Sequence, residues 1–181
     1  MDKVKVFTNE LNLICDKELR DKAIKAISLI PDYFFVIPSS SSGKYHPAYA
    51  LGKGGLVRHT KATIQLAVHL CRNKMFMITP DDLDYVIASL LVHDGWKNGL
   101  SDTGHTKEEH PLIAADELKT VLPAECLSAI RSHMGQWNKD KNGRIVYYGV
   151  DEMPEPSSHI DKYVHLCDYI ASRKIINIDI Y

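Results

Sequence analysis

Six side chains in this sequence are of the kinds that hold divalent metal ions and stand where a folded chain would bury them. They are His59, the adjacent His93 and Asp94, His110, His133 and Asp168. The adjacent pair is the sharpest signal. A nearly all-apolar segment, Tyr85 to Val92, runs straight into His93-Asp94-Gly95-Trp96-Lys97. Burying an imidazole and a carboxylate is costly unless each finds a partner, and one divalent ion accepts both. The others sit on helical stripes. His59 falls in line with Leu56, Thr63, Leu66 and Leu70, and His133 with Cys126 and Ile130. Asp168 falls with Val164, Cys167 and Ala171, and His110 opens a helix carrying Ile113, Ala114, Leu118 and Val121. A lone histidine on an apolar stripe is more often a hydrogen-bonded core residue than a ligand. Asp168 resists that reading, because no Lys or Arg lies within a helical turn on its N-terminal side. The donor set is nitrogen and oxygen without thiolate, which suits Mn, Fe, Ni, Co, Mg or Zn without choosing among them.

The elements that must position these residues are mostly helical. Residues 4–30 read as one or two helices stopped by Pro31, and Asp32 to Ile37 as a short extended run. The stretch 39–47, serine-rich and ending in Gly43-Lys44-Tyr45-His46-Pro47, is a loop. It is either a mobile linker or a substrate loop whose hydroxyls, backbone N–H groups and Lys44 meet a phosphate. A helix is expected over Leu56 to Arg72. Another starts at Thr79-Pro80-Asp81-Asp82, with threonine as cap and proline in the first turn, and runs to Asp94, where Gly95 ends it. Further helices open at His110-Pro111 and at Pro123. Residues 138–157 form an excursion with a hairpin turn at Asn142-Gly143. Ser158 and Asp161 make a capping box for a last helix over 159–173. The fold class is therefore all-α, a single helical bundle over 1–181 with a small β-hairpin excursion.

Length and composition narrow the function. The chain has 181 residues, 45% hydrophobic and 25% charged, with net charge -1. There is no basic block for strong nucleic-acid binding. No apolar run approaches the ~20 residues of a membrane span. Cys15, Cys71, Cys126 and Cys167 form no CxxC pair and read as reduced core thiols, which with the absence of a signal-peptide pattern points to the cytoplasm. Of the nine histidines, His69, His105 and His159 read as surface residues. The aliphatic tail after Arg173 suggests a homodimer contact.

The series His59…His93-Asp94…Asp168, with the stretches GGLVRHT, LLVHDGWKNG, EEHPLIAADEL, HMGQW and HLCDYIASR, resembles the HD-domain superfamily of metal-dependent phosphohydrolases. The resemblance covers roughly residues 52 to 173. It implies one ion held by His59, His93, Asp94 and Asp168, and a second held by His110 and His133 with Asp94 bridging. With a single ion, His110 and His133 would face substrate instead. It further implies cleavage of a phosphomonoester or phosphodiester, nucleotide-type, by metal-activated water, with Asp94 and Lys97 as the catalytic residues. Many members read His-Asp-Ile-Gly-Lys where this chain reads His93-Asp94-Gly95-Trp96-Lys97, so Lys97 keeps its place and the turn differs. The GYP motif of cyclic-di-GMP phosphodiesterases is absent. Lys44, His46, Arg58, Lys97 and Arg173 are the candidate substrate contacts, although Arg58 and Lys44 read equally as surface charges. Tyr45, His46, Trp96 and Trp137 are candidates for stacking on a base, with packing favoured for Trp137. Two other functions stay open: a di-iron oxygenase on the same scaffold, and a non-catalytic metal-binding or nucleotide-sensing module.

Overall fold

The structure is a computed structural model and describes residues 2–40, 43, 46–73 and 76–174. The N-terminal segment forms three helices where apolar spacing suggests one or two: α1 (Lys3–Val6), α2 (Thr8–Leu11) and α3 (Lys17–Leu29). The break between α2 and α3 is set from afar. The buried carboxylate of Asp84 accepts the N–H groups of Cys15 at 2.9 Å and Asp16 at 2.7 Å, and Asp16 caps α3 by accepting Leu19 N–H at 2.8 Å. Cys15 lies exposed in this break, outside any helix, while Cys126 and Cys167 are core thiols.

Residues Asp32–Phe35 form a 3₁₀ turn and not the expected extended run. A strand would send Phe34 and Phe35 to opposite faces. The turn lets both rings bury and pack at 5.0 Å, each also 6.3 Å from Phe7. A second short turn, Ala48–Ala50, leads into α4 (Gly55–Arg72). The two meet so closely that a Cβ on Gly55 would lie 2.2 Å from the Ala50 carbonyl oxygen. Helix propensity alone makes Gly→Ala stabilising by about 1 kcal/mol. Here Gly55→Ala is expected to destabilise, at the upper end of the ~1–3 kcal/mol typical of overpacking, and so to lower the thermal midpoint by roughly 5–10 °C.

Helix α5 (Pro80–Leu90) begins with the expected capping box between Thr79 and Asp82. It ends at Leu90, four residues before the expected Asp94. The backbone bonding switches there from Leu91 N–H to Ile87 O, an α-helical bond, to the i→i−3 bonds Val92 to Ser89, Gly95 to Val92 and Lys97 to Asp94. His93 and Asp94 thus sit in a tight turn at the helix end, which aims both side chains out past it. Helices α6 (His110–Leu118), α7 (Ala124–Ser132) and α8 (His159–Ala171) follow, α8 with its Ser158–Asp161 capping box. The excursion carries a two-stranded antiparallel ribbon, β1 (Tyr147–Tyr148) with β2 (Asp151–Glu152). It docks Val146 and Met153 on Leu112 of α6.

Helices α4, α5, α7 and α8 pack on one another, α6 lies on α7, and α3 lies on α5. One hydrophobic cluster runs from Phe7 and Ile14 through Leu90 and Ile130 to Val164 and Cys167. Trp96 is part of it, 2% exposed, and so is not available for stacking on a ligand. No helix among the described residues is long and apolar enough to cross a membrane.

Candidate metal centre

The six residues singled out by type converge. Asp94 lies at their centre, with its two oxygens facing different partners. Oδ1 is 2.9 Å from His110 Nε2 and 3.6 Å from His133 Nε2. Oδ2 is 3.6 Å from His93 Nε2 and 3.9 Å from His59 Nε2, and it accepts the Lys97 ammonium. Asp168 Oδ1 lies 2.9 Å from His59 Nε2 and 3.7 Å from His93 Nε2. His59, His93, Asp94, His110 and His133 are all at most 2% exposed. Asp168 is 16% exposed, its open side forming part of the wall of a cavity of about 570 Å³.

A local device orients three of the four histidines. His93 Nδ1 donates to Leu90 O at 2.8 Å, His110 Nδ1 to Lys107 O at 2.6 Å, and His133 Nδ1 to Ile130 O at 2.7 Å. Each acceptor is three residues back, in two cases at a helix end where carbonyls have no partner in the helix. A carbonyl only accepts, so each Nδ1 carries the proton, and in the neutral ring each Nε2 presents a lone pair. The consequence is a test of whether a metal fits. His110 Nε2 and His133 Nε2 face each other at 3.2 Å, lone pair to lone pair. His93 Nε2 and Asp94 Oδ1 are buried with no hydrogen-bond partner. Such an array is satisfied by a cation between the donors, and the nitrogen–carbonyl bonds are the usual outer support of histidine ligands. Three overlapping sets, His59–His93–Asp94, His93–His133–Asp168 and Asp94–His110–His133, each bring their donor atoms within 4.8 Å of one another.

A family model for the HD domain matches residues 56–173. The chain belongs to the HD-domain family. No curated protein and no solved structure matches it. The HD pair itself is His93-Asp94, and the buried His/Asp cluster around it is a site able to hold divalent metal.

Electrostatics around the HD pair follow from burial set against charge. Burial opposes ionisation of Asp94, but the Lys97 ammonium and the His93 ring outweigh it and hold the carboxyl well below its usual range. Burial likewise opposes ionisation of Asp168, and the hydrogen bond with His59 together with the nearby His93 ring overcomes it. Burial pushes His133 down to about 4, with the neighbouring His93 and His110 adding to the effect. Burial also disfavours charge on His93, yet Asp94 and Asp168 raise its pKa. In the metal-free protein His133 therefore stays neutral where an unfolded histidine, near 6.5, takes a proton. The unfolded state binds more protons, so this residue's contribution falls as pH drops from about 6.5 to 4, by on the order of 3 kcal/mol. His93, shifted the other way, opposes this loss. His133→Asn keeps a donor for Ile130 O and removes the titrating ring. The variant is expected to show a flatter loss of stability between pH 6.5 and 4 than the parent, read by urea unfolding without metal.

The candidate contacts divide. Lys97 and Arg173 line the cavity of the HD-domain centre. His46 does too, its ring 6.1 Å from that of His59 and its Nδ1 buried without a partner among the described residues. Burial first, and then the Lys97 charge, lower its pKa to about 4. Arg58 is not among the residues lining that cavity. Its Nε donates to Tyr49 O, its Nη1 to Lys53 O at 3.0 Å and its Nη2 to Leu51 O at 2.7 Å, so its donors are spent on tying the 49–53 loop to α4. Lys44 and Tyr45 fall outside the described residues, as does the aliphatic tail. Ser39, from the serine loop, is 1% exposed and lines the cavity.

His165 escaped the reading of the sequence. Its Nδ1 donates to His133 O at 2.7 Å, and its ring lines the cavity. The signal was available, since it precedes Asp168 by three residues and shares its side of α8. Gly135, at φ +56, makes room for it, because a Cβ there would lie 2.4 Å from His165 Cε1.

Proposed function

We propose that this HD-domain protein is a metal-dependent phosphohydrolase that cleaves a phosphomonoester or phosphodiester of a small, nucleotide-type substrate with metal-activated water. The observation that carries this reading is the division of Asp94. One carboxylate oxygen faces His110 and His133, and the other faces His93 and His59. That is the disposition expected of a carboxylate bridging two ions. His59, His93, Asp94 and Asp168 would hold one ion, and Asp94, His110 and His133 the other. Ions bound there acidify a water molecule toward a pKa of ~7 and draw charge from the phosphoryl oxygens.

The chain's own groups do the rest. Asp94 and Asp168 stay ionised and supply negative charge to the site. The carbonyls of Leu90, Lys107 and Ile130 hold three imidazoles in one tautomer. Lys97, beside Asp94 at the cavity wall, meets the developing phosphoryl charge as a point donor. His46 and Arg173 contact the remainder of the substrate. The near-neutral net charge favours a small ligand over long nucleic acid. All four cysteines are free, consistent with a cytoplasmic setting.

Elemental analysis of the purified protein, followed by phosphate release from a nucleotide and phosphodiester panel with oxygen uptake recorded alongside, tests the reading. Two ions per chain and phosphate release without oxygen consumption are expected. One ion would return His110 and His133 to substrate contacts. Iron with substrate-dependent oxygen uptake would establish the oxygenase instead. No cleavage with any divalent ion would leave a binding module.

A further inference from the structure

We infer that the cavity holds a planar-ring subsite, formed by Trp137, Tyr169 and Arg173, that takes the base of a nucleotide. This rests on the phosphohydrolase reading for the reaction, but the subsite stands on its own geometry. Trp137 closes the 3₁₀ turn Gly135–Trp137, four residues beyond His133. It is 54% exposed and lines the same cavity as Asp94 and Lys97. A large aromatic surface left in water is unfavourable by the usual transfer cost, and nothing among the described residues covers it.

Across the cavity wall, Tyr169 directly follows Asp168 and is 37% exposed. The Arg173 guanidinium lies over its ring at 4.1 Å, with Nε donating to Tyr169 O at 3.3 Å. That stacking fixes a planar cation at the wall, and its terminal nitrogens have no partner among the described residues. One free indole face and one anchored guanidinium are the two kinds of surface on which a base stacks or bonds.

Shared lining sets the class. The rings do not lie far along the chain from the metal-type ligands. Tyr169 is one residue from Asp168 and Trp137 is four from His133, and all four line the same cavity. A nucleotide bound at the centre would meet these rings, and a sugar phosphate leaves them unused.

The chain has two tryptophans, and Trp96 is buried, so a base stacking at the cavity reports through Trp137 fluorescence. The full-length protein loaded with Mg²⁺ is titrated with adenosine, guanosine, cytidine and uridine 5′-monophosphates, with ribose 5-phosphate and inorganic phosphate as ring-free references. Quenching by the monophosphates and not by the references is expected, and its loss in Trp137→Phe. In Trp137→Ala the ratio of nucleotide to ribose 5-phosphate affinity should fall about 10- to 100-fold, with Trp137→Phe intermediate and both variants melting cooperatively. Equal affinity for ribose 5-phosphate and the nucleotides in the parent would overturn the subsite. Monophosphate quenching without any phosphate release would support the subsite and defeat the phosphohydrolase reading. Cleavage of sugar phosphates without quenching would do the reverse.

Discussion

Asp94→Ala is expected to lose all bound metal and all turnover above background. Asp94 is the one residue whose two oxygens face both histidine pairs, so its removal breaks both sets of ligands, whereas His133→Ala would break one. Binding stabilises a folded protein by about 2.7 kcal/mol when ligand is at a hundredfold excess over Kd. The parent should therefore melt roughly 5–10 °C higher with metal than without, and Asp94→Ala should show no such rise. The variant also strips the Lys97 ammonium and four buried imidazoles of their shared counter-charge. Its metal-free melt is thus the proper control for its metal-loaded one. Retention of two ions by Asp94→Ala, measured by elemental analysis, would end the bridging assignment.

Lys97→Met should give the opposite pattern, keeping its metal and losing its rate. The Lys97 side chain is 13% exposed and reaches Asp94 from three residues on, within the same turn. It is no ligand, and methionine preserves its apolar stem. If Lys97 meets phosphoryl charge as the reaction proceeds, its loss costs about 10²–10³ in kcat with a smaller change in KM. An equal loss in Lys97→Arg would show that the compact ammonium is required, since a planar guanidinium is not its equivalent. A variant that lost metal along with rate would instead make Lys97 a prop for Asp94, acting through the carboxyl pKa it helps to hold low.

Local chemistry carried much of this into the sequence. The Thr79–Asp82 and Ser158–Asp161 caps are short-range patterns, and both are formed. The inward faces of α4, α7 and α8 follow from apolar spacing, because a helix fixes which side chains share a side. That rule placed His59, His133 and Asp168 on buried stripes. What it could not supply is the depth at which each stripe meets its neighbour. The two tryptophans show the difference. Trp96 stands beside the HD pair yet turns into the core, while Trp137, whose spacing from His133 favours packing, opens onto the cavity. His165 was legible only as the residue three before Asp168, and Arg58 only as a charge near His59.

The sequence by itself therefore determined the helical class, the family resemblance and the six residues of metal-binding type, since residue kind and helical periodicity are local properties. Tertiary structure alone decided three further matters. It ended α5 at Leu90, because i→i−3 bonding and the His93–Leu90 contact replace the next helical turn. It turned Asp94 so that its oxygens divide between the histidines, because α4, α6 and α7 approach the turn from different sides. It spent Arg58 on the 49–53 loop while leaving Arg173 and Trp137 at the cavity wall, because hydrogen-bond partners and open space depend on which distant segments the packed helices bring alongside.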